Sequence, residues 1–433
     1  MQQPSLLTTL VRGAGAALTI QIVSAGVVYT SQVLLARWMG TTEYGIYDYA
    51  TAVGISLAFL AGFGLPTVVL RFVSAYTAQQ DWGHLRGIIE GSWQQTLGVS
   101  VVTSLCGTAF LWRLNVTHSL GAYTVPLIVG IWTVPVVTLV SLQREMLRGF
   151  QRIGLAYAPS LIMQPLLLVG AAAVWQLRGD LTSGVAIALS LFSAMLALTL
   201  QWLLFQRSLD AKIRTAKPTY AIAQWWQTAL PLMLFSGSHM VLSQTDTLMI
   251  GAFLNAKQVG LYSAALKTAS WVPFILSSVN SISAPLIASL YAQGDRQGLQ
   301  QLVATIARWM FYPALAVALG LIGFAGPVLQ LFGPDFTAAK GALIILILGQ
   351  LVNVGAGSVG YLMTMTGHQT QSAWVMGASA VVNVGLNLVG IHFFGIVGAA
   401  LATALSMTMW NIWLYVLVVQ RLGVRPSILD AFR

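Results

Sequence analysis

The chain has 433 residues, of which 57% are hydrophobic and only 7% charged, and its net charge is +10. A water-soluble domain carries roughly 25% charged residues, so this composition excludes a soluble globular protein and leaves lipid as the solvent for most of the surface. The positive charge does not indicate nucleic acid: no basic stretch is interleaved with aromatics that could stack on bases, and extra Lys and Arg in cytoplasmic loops of a membrane protein account for it.

Each crossing of a bilayer takes ~20 predominantly apolar residues, and twelve such helices are expected along the chain. The first, 13–36, is longer than the apolar core of a signal peptide, and no small-residue cleavage pattern follows it, so it is expected to be a retained span. Spans at 46–70, 88–112, 121–143, 154–177 and 183–206 follow. The third holds the single cysteine, Cys106, expected to be a small buried side chain. A basic stretch, RSLDAKIRTAKP at 207–218, then precedes spans at 226–253, 260–290, 300–324 and 339–365. From Gly341 to Gln420 there is no Asp, Glu, Lys or Arg, which is too long for two crossings. Polar breaks at TGHQTQ (366–371) and HFFG (392–395) divide this region and set the last two spans at 371–392 and 395–420.

Of the 21 basic residues, fifteen fall on the side of the termini and even-numbered loops, five on the other side, and Lys267 lies inside a span. This bias predicts cytoplasmic termini.

The chain also resembles itself at an offset near 215. LARWMGTTEYGIYDYA (35–50) parallels IGAFLNAKQVGLYSAA (250–265), placing Gly45 on Gly260 and Tyr47 on Tyr262. QDWGHLR (80–86) parallels GDRQGLQ (294–300), aligning Asp81 with Asp295. LRGFQRIGLAYAPS (147–160) and GVAIAL (184–189) have counterparts at 365–378 and 398–403. The expected fold is therefore an all-α integral membrane protein of about twelve helices, in two parallel six-helix repeats around a central cavity. Its domains are 1–206, a basic cytoplasmic linker at 207–224, and 225–433.

The TTEYGIYDYA stretch, QTDTLMIGAF with VGLYSAALK after it, LRGFQRIGLAY, and FGPDFTAAKGALIILILGQLVN together resemble Wzx-type polysaccharide flippases. These belong to the multidrug/oligosaccharidyl-lipid/polysaccharide exporter superfamily. The resemblance implies a V-shaped pair of bundles in the plasma membrane that flips an undecaprenyl-diphosphate-linked oligosaccharide to the outer leaflet by alternating access. It implies membrane lipids and the lipid-linked oligosaccharide as partners, with polysaccharide polymerase machinery as a candidate partner. Lipid II flippases of the superfamily have fourteen spans, so twelve argue against that activity. Multidrug exporters share the twelve-span plan, and a cation-coupled exporter is the alternative reading. A membrane glycan polymerase is a further alternative, disfavoured because the longest outer loop is only about fifteen residues, around AGPVLQLFGPDFTAAK.

No catalytic constellation, cofactor motif or metal-binding spacing of the five histidines is present, and no phosphate-cradling loop for ATP. The informative residues are charges at membrane depth, which usually face a cavity or a partner. Asp246 and Lys267 lie at similar depth in adjacent spans and are expected to pair, either as an anion-binding cation with its ion-coupling or counter-charge carboxylate, or as a structural lock. Arg308 suits a diphosphate through its planar guanidinium, or snorkels to the headgroups. Arg148 is expected to attract the anionic carrier, Arg37 and Asp48 to flank the outer mouth as a substrate contact or a solvated pair, and Glu90 to be a protonatable group. Asn280, Asn353, Asn383 and Asn387 either line a sugar path or hydrogen-bond between helices.

Overall fold

Hydrocarbon offers no water to main-chain polar groups, so a lipid-embedded chain must satisfy them internally. A computed structural model, which describes residues 6–118 and 121–430, does so with helices and no strand among the described residues. The helical run Leu6–Gly62 holds 57 residues, far longer than a bilayer is thick at ~1.5 Å per residue. It is broken at Gly40, whose φ of +74° is open to a residue without a Cβ. The break separates α1 (6–39) from α2 (41–62), which restarts after Gly64 as Leu65–Gln79 because Pro66 suits the first turn of a helix. Then come α3 (Trp82–His118), α4 (Gly121–Gly149), α5 (Ile153–Gln176) and α6 (Ser183–Ser208). A five-residue helix, Ala211–Thr215, lies in the basic linker.

The second half repeats the plan with α7 (Ile222–Phe253), α8 (Ala256–Ala269 with Trp271–Ala292), α9 (Arg296–Gly323) and α10 (Pro334–Gly355, continued by Val359–Met365). The run Gln369–Leu422 is broken at Gly395 into α11 (369–394) and α12 (396–422). Asn383 Nδ2 donates to Ser406 Oγ across 3.0 Å, whereas a straight helix would hold those residues ~35 Å apart. The run is thus a hairpin.

Among the described residues, eight stretches are long and apolar enough to cross a membrane as they stand, two of them containing the broken runs. With the bent α8 and the apolar α7, they give the twelve expected spans. Span limits differ from expectation mainly where polar residues continue a helix into the interface, as at the ends of α2 and α3.

Two compact units result: residues up to Met39 with Ile46–Met240, and Gly40–Gly45 with Val241–Arg433. Helix α7 runs from one into the other. The first unit is built around Leu65, Phe72, Leu85, Met146, Phe205 and Trp225, and the second has a core that includes Ile287, Leu299, Leu362 and Leu414. Large apolar side chains such as Phe110, Val381 and Phe393 are exposed, as a lipid-facing surface requires. Cys106 belongs with them. It is exposed rather than buried, beside exposed Val102 and Leu105, because its helix turns this flank away from its neighbours.

The repeat is visible in local chemistry. Asp81 Oδ1 accepts from the His84 backbone N–H at 3.1 Å and opens α3. Its counterpart Asp295 accepts from the Gly298 N–H at 2.8 Å and opens α9. Both satisfy main-chain donors that the first helical turn leaves free.

Candidate functional site

Asp246 sits on α7 within the second unit, 3% exposed, between buried Thr245 and Thr247. Three helices bring polar groups to it. Asn383 and Asn387 are one turn apart on α11 and share a face, as do Thr403 and Ser406 on α12; Tyr262 comes from α8. Tyr262 Oη and Thr403 Oγ1 both donate to Asp246 Oδ2. Asn387 Nδ2 donates to Asp246 Oδ1 at 2.8 Å. The same amide lies 3.2 Å from Asn383 Oδ1, and Asn383 is held in turn by Ser406. All of these side chains are buried.

The arrangement is short of positive charge. Among the described residues no Lys, Arg or His forms an ion pair with Asp246. Asn387 Oδ1 is buried without a hydrogen-bond partner. A carboxylate at membrane depth requires a proton, a bound cation or a cationic side chain to offset its desolvation. Carboxylate, amide and hydroxyl oxygens are hard donors suited to a non-transition cation, and here they converge on one spot. No group of three or more His, Cys, Asp or Glu that could hold a metal occurs among the described residues.

The expected pairing of Asp246 with Lys267 is not formed. Tyr262, which reaches Asp246, and Lys267 are five residues apart on α8, so they point ~140° away from each other around the helix. Lys267 Nζ instead donates to Tyr44 Oη at 2.8 Å. Tyr44 is fully buried, its ring set edge-on against Phe336.

The other charged candidates are dispersed. Arg308 is exposed on α9, on the flank of exposed Thr305, Trp309 and Tyr312. Arg148 Nη1 is held by both oxygens of Glu145, at 2.9 and 2.7 Å. Arg37 is exposed and makes no ion pair with half-buried Asp48, which has partners of its own. Glu90 binds Arg86 Nε at 2.7 Å, and Arg86 reaches the carbonyls of Arg214 and Ala216. Glu90 thereby steadies the basic linker.

Sequence reasoning singled out Asp246, Asn383 and Asn387 but missed Tyr262, Thr403 and Ser406 as their partners. The usable signal was the two asparagines one turn apart in an otherwise apolar helix. Nothing local marks Thr403.

The family model described as polysaccharide biosynthesis protein matches residues 10–291, and a second, described as MatE, matches 231–389. The chain is 28% identical over 243 residues to the "Uncharacterized membrane protein EpsK" of Bacillus subtilis (strain 168), covering 55% of this chain and 46% of that one. It is 27% identical over 165 residues to the "Probable low-salt glycan biosynthesis flippase Agl15" of Haloferax volcanii, covering 38% of this chain and 35% of that one. The matches thus span less than half the length of these relatives. Among solved structures, the lipid II flippase MurJ in an inward closed conformation superposes with a TM-score of 0.74 at 13% identity, covering 96% of this chain and 89% of that one. An inward-facing multidrug resistance MATE family transporter of the MOP superfamily gives 0.67 at 15% identity over 94% of each chain. At such identities these likenesses establish the fold.

Proposed function

This chain belongs to the polysaccharide biosynthesis protein family, and on that premise we propose that it flips a lipid-linked oligosaccharide across the plasma membrane. The carrier is undecaprenyl diphosphate, both termini are cytoplasmic, and transport proceeds by alternating access. The six-helix halves, 1–206 and 225–433 joined by the linker 207–224, act as the moving bodies. A flippase named for glycan biosynthesis among the relatives supports the substrate class.

The observation that carries the coupling is Asp246, a buried carboxylate with no cationic partner among the described residues and an unsatisfied amide oxygen beside it. With no ATP-binding loop in the chain, a monovalent cation or proton taken up at Asp246 drives the cycle. Binding there changes the charge held by α7, α8, α11 and α12, and so biases the conformations these helices share. Arg308 and Lys267 take the diphosphate on its way through, while Arg148 and Arg37 attract it at the two faces; phosphate oxygens favour such cationic partners. Asp48 is the counter-charge at the outer mouth, and polymerase machinery receives the product.

The test is Asp246→Asn in cells lacking the native chain, read as surface polysaccharide, with a fluorescent lipid-diphosphate oligosaccharide in proteoliposomes. The variant is expected to reside in the membrane, to lose at least ten-fold in gradient-driven flipping, and to lose any difference between sodium and choline buffers. Full flipping with retained sodium dependence would overturn the coupling role. The MatE match covers residues 231–389 and therefore includes Asp246, Tyr262, Asn383 and Asn387, which favours a cation-coupled drug exporter as second reading. Drug hypersensitivity with normal polysaccharide in a deletion strain would select it.

A further inference from the structure

A separate cavity of about 220 Å³ lies inside the first unit, among α2, α4, α5 and α6. Its polar lining is unusual for being rich in uncommitted donors. Arg144 of α4 reaches it, and its Nε is enclosed with no hydrogen-bond partner. Ser141, Gln164 and Ser190 also line it, and no side chain of the three hydrogen-bonds to another described residue. Two further lining hydroxyls are already spent on their own helices, Thr51 donating to the Tyr47 carbonyl at 2.8 Å and Thr133 to that of Gly130 at 2.6 Å.

No Asp or Glu lines the cavity. The nearest carboxylate in sequence, Glu145, has both oxygens on Arg148. A guanidinium cannot shed its proton in a protein. Glu145, committed to Arg148, also acts on Arg144 through space, but the enclosed Arg144 Nε still has no acceptor, and an anion entering the cavity would supply one. Gln164 follows directly on a π-helical turn, Pro159–Met163, a rare conformation that concentrates at functional sites.

We propose that this cavity binds one phosphate-type oxyanion, gripped by the Arg144 guanidinium and completed by Ser141, Ser190 and the Gln164 carboxamide. A planar guanidinium matches two phosphate oxygens at once. A volume of about 220 Å³ admits a phosphate group with accompanying waters. The site is separate from Asp246, which belongs to the other unit, and it stands whichever substrate the chain carries. The phosphate group comes either from a free phosphate ion or from the headgroup of an anionic lipid.

The test uses the full chain in dodecyl maltoside, which carries no phosphate, with radiolabelled inorganic phosphate in one arm and phosphatidic acid in mixed micelles in the other. Saturable binding is expected in one arm, at least ten-fold weaker in Arg144→Gln and unchanged in Arg207→Gln, whose side chain is exposed elsewhere. Binding in the first arm identifies the free ion as the source, and binding in the second alone identifies the lipid headgroup. Ser190→Ala and Gln164→Leu each weaken binding roughly ten-fold, the effect of losing one hydrogen bond to a charged group. These two decide the matter if Arg144→Gln fails to fold. No binding in either arm, or binding that Ser190→Ala and Gln164→Leu leave unaltered, overturns the proposal.

Discussion

Gly45 and Gly260, equivalent positions of the internal repeat, meet with their main chains in contact. A Cβ added at Gly45 would lie 1.8 Å from the carbonyl oxygen of Ala256, and one added at Gly260 would lie 2.2 Å from that of Thr41. Each of those carbonyls belongs to the residue four before the partner glycine, so the crossing is symmetric. Small residues one turn apart let helices approach this closely in lipid. Gly45→Ala and Gly260→Ala are each expected to destabilise the chain by about 1–3 kcal/mol through overpacking. Lowered melting in detergent, followed by tryptophan fluorescence, checks this; Gly26→Ala, where a Cβ meets nothing, serves as control.

The paired helix caps predict a second symmetric effect. Asp81→Ala and Asp295→Ala each remove a capping acceptor, at a cost of about 1 kcal/mol. The Asp81 carboxyl is held below its ordinary range by the backbone N–H of His84 and then by the His84 ring at 2.7 Å. Its contribution is therefore fully present above the ordinary carboxylate pKa and lost as pH falls through the lowered folded value. Melting curves taken from neutral pH down to below the ordinary carboxylate range should show that loss in the parent chain and not in Asp81→Asn.

Around Asp246, the neutral partners should tune cation affinity without supplying charge. Thr403→Val and Asn387→Ala are each expected to raise the sodium concentration for half-maximal thermal protection roughly ten-fold, as for hydrogen bonds to a charged group. Unchanged protection in both variants would remove these residues from the site.

Arg86, held by Glu90, ties the linker carbonyls of Arg214 and Ala216 to α3. Releasing it should expose the basic stretch 207–218 to proteolysis. Arg86→Ala is expected to be cut by trypsin within that stretch several-fold faster than the parent, and N-terminal sequencing of the fragments locates the cut.

Cys106, lying in the lipid-exposed flank of α3, is expected to react with a bilayer-soluble maleimide and to resist a charged one. Equal labelling by both would place water at that flank.

Much was legible without coordinates because lipid imposes a simple rule. A run of apolar residues long enough to cross must be a helix, so the twelve spans, the turn near HFFG and the repeat that aligns Gly45 with Gly260 and Asp81 with Asp295 all stand in the residue pattern. The depth of Asp246 was legible for the same reason.

What only tertiary structure decided was which faces meet. The partners of Asp246 come from 16, 141 and 157 residues away along the chain, and no local pattern specifies them. A five-residue step on α8 turns Lys267 away from Asp246 and toward Tyr44, and the packing of four helices sets Arg144 against a cavity that its own helix does not specify. Hydropathy fixes how deep a side chain lies, because depth depends on position along one helix. Its direction around that helix becomes a contact only when neighbouring helices have packed.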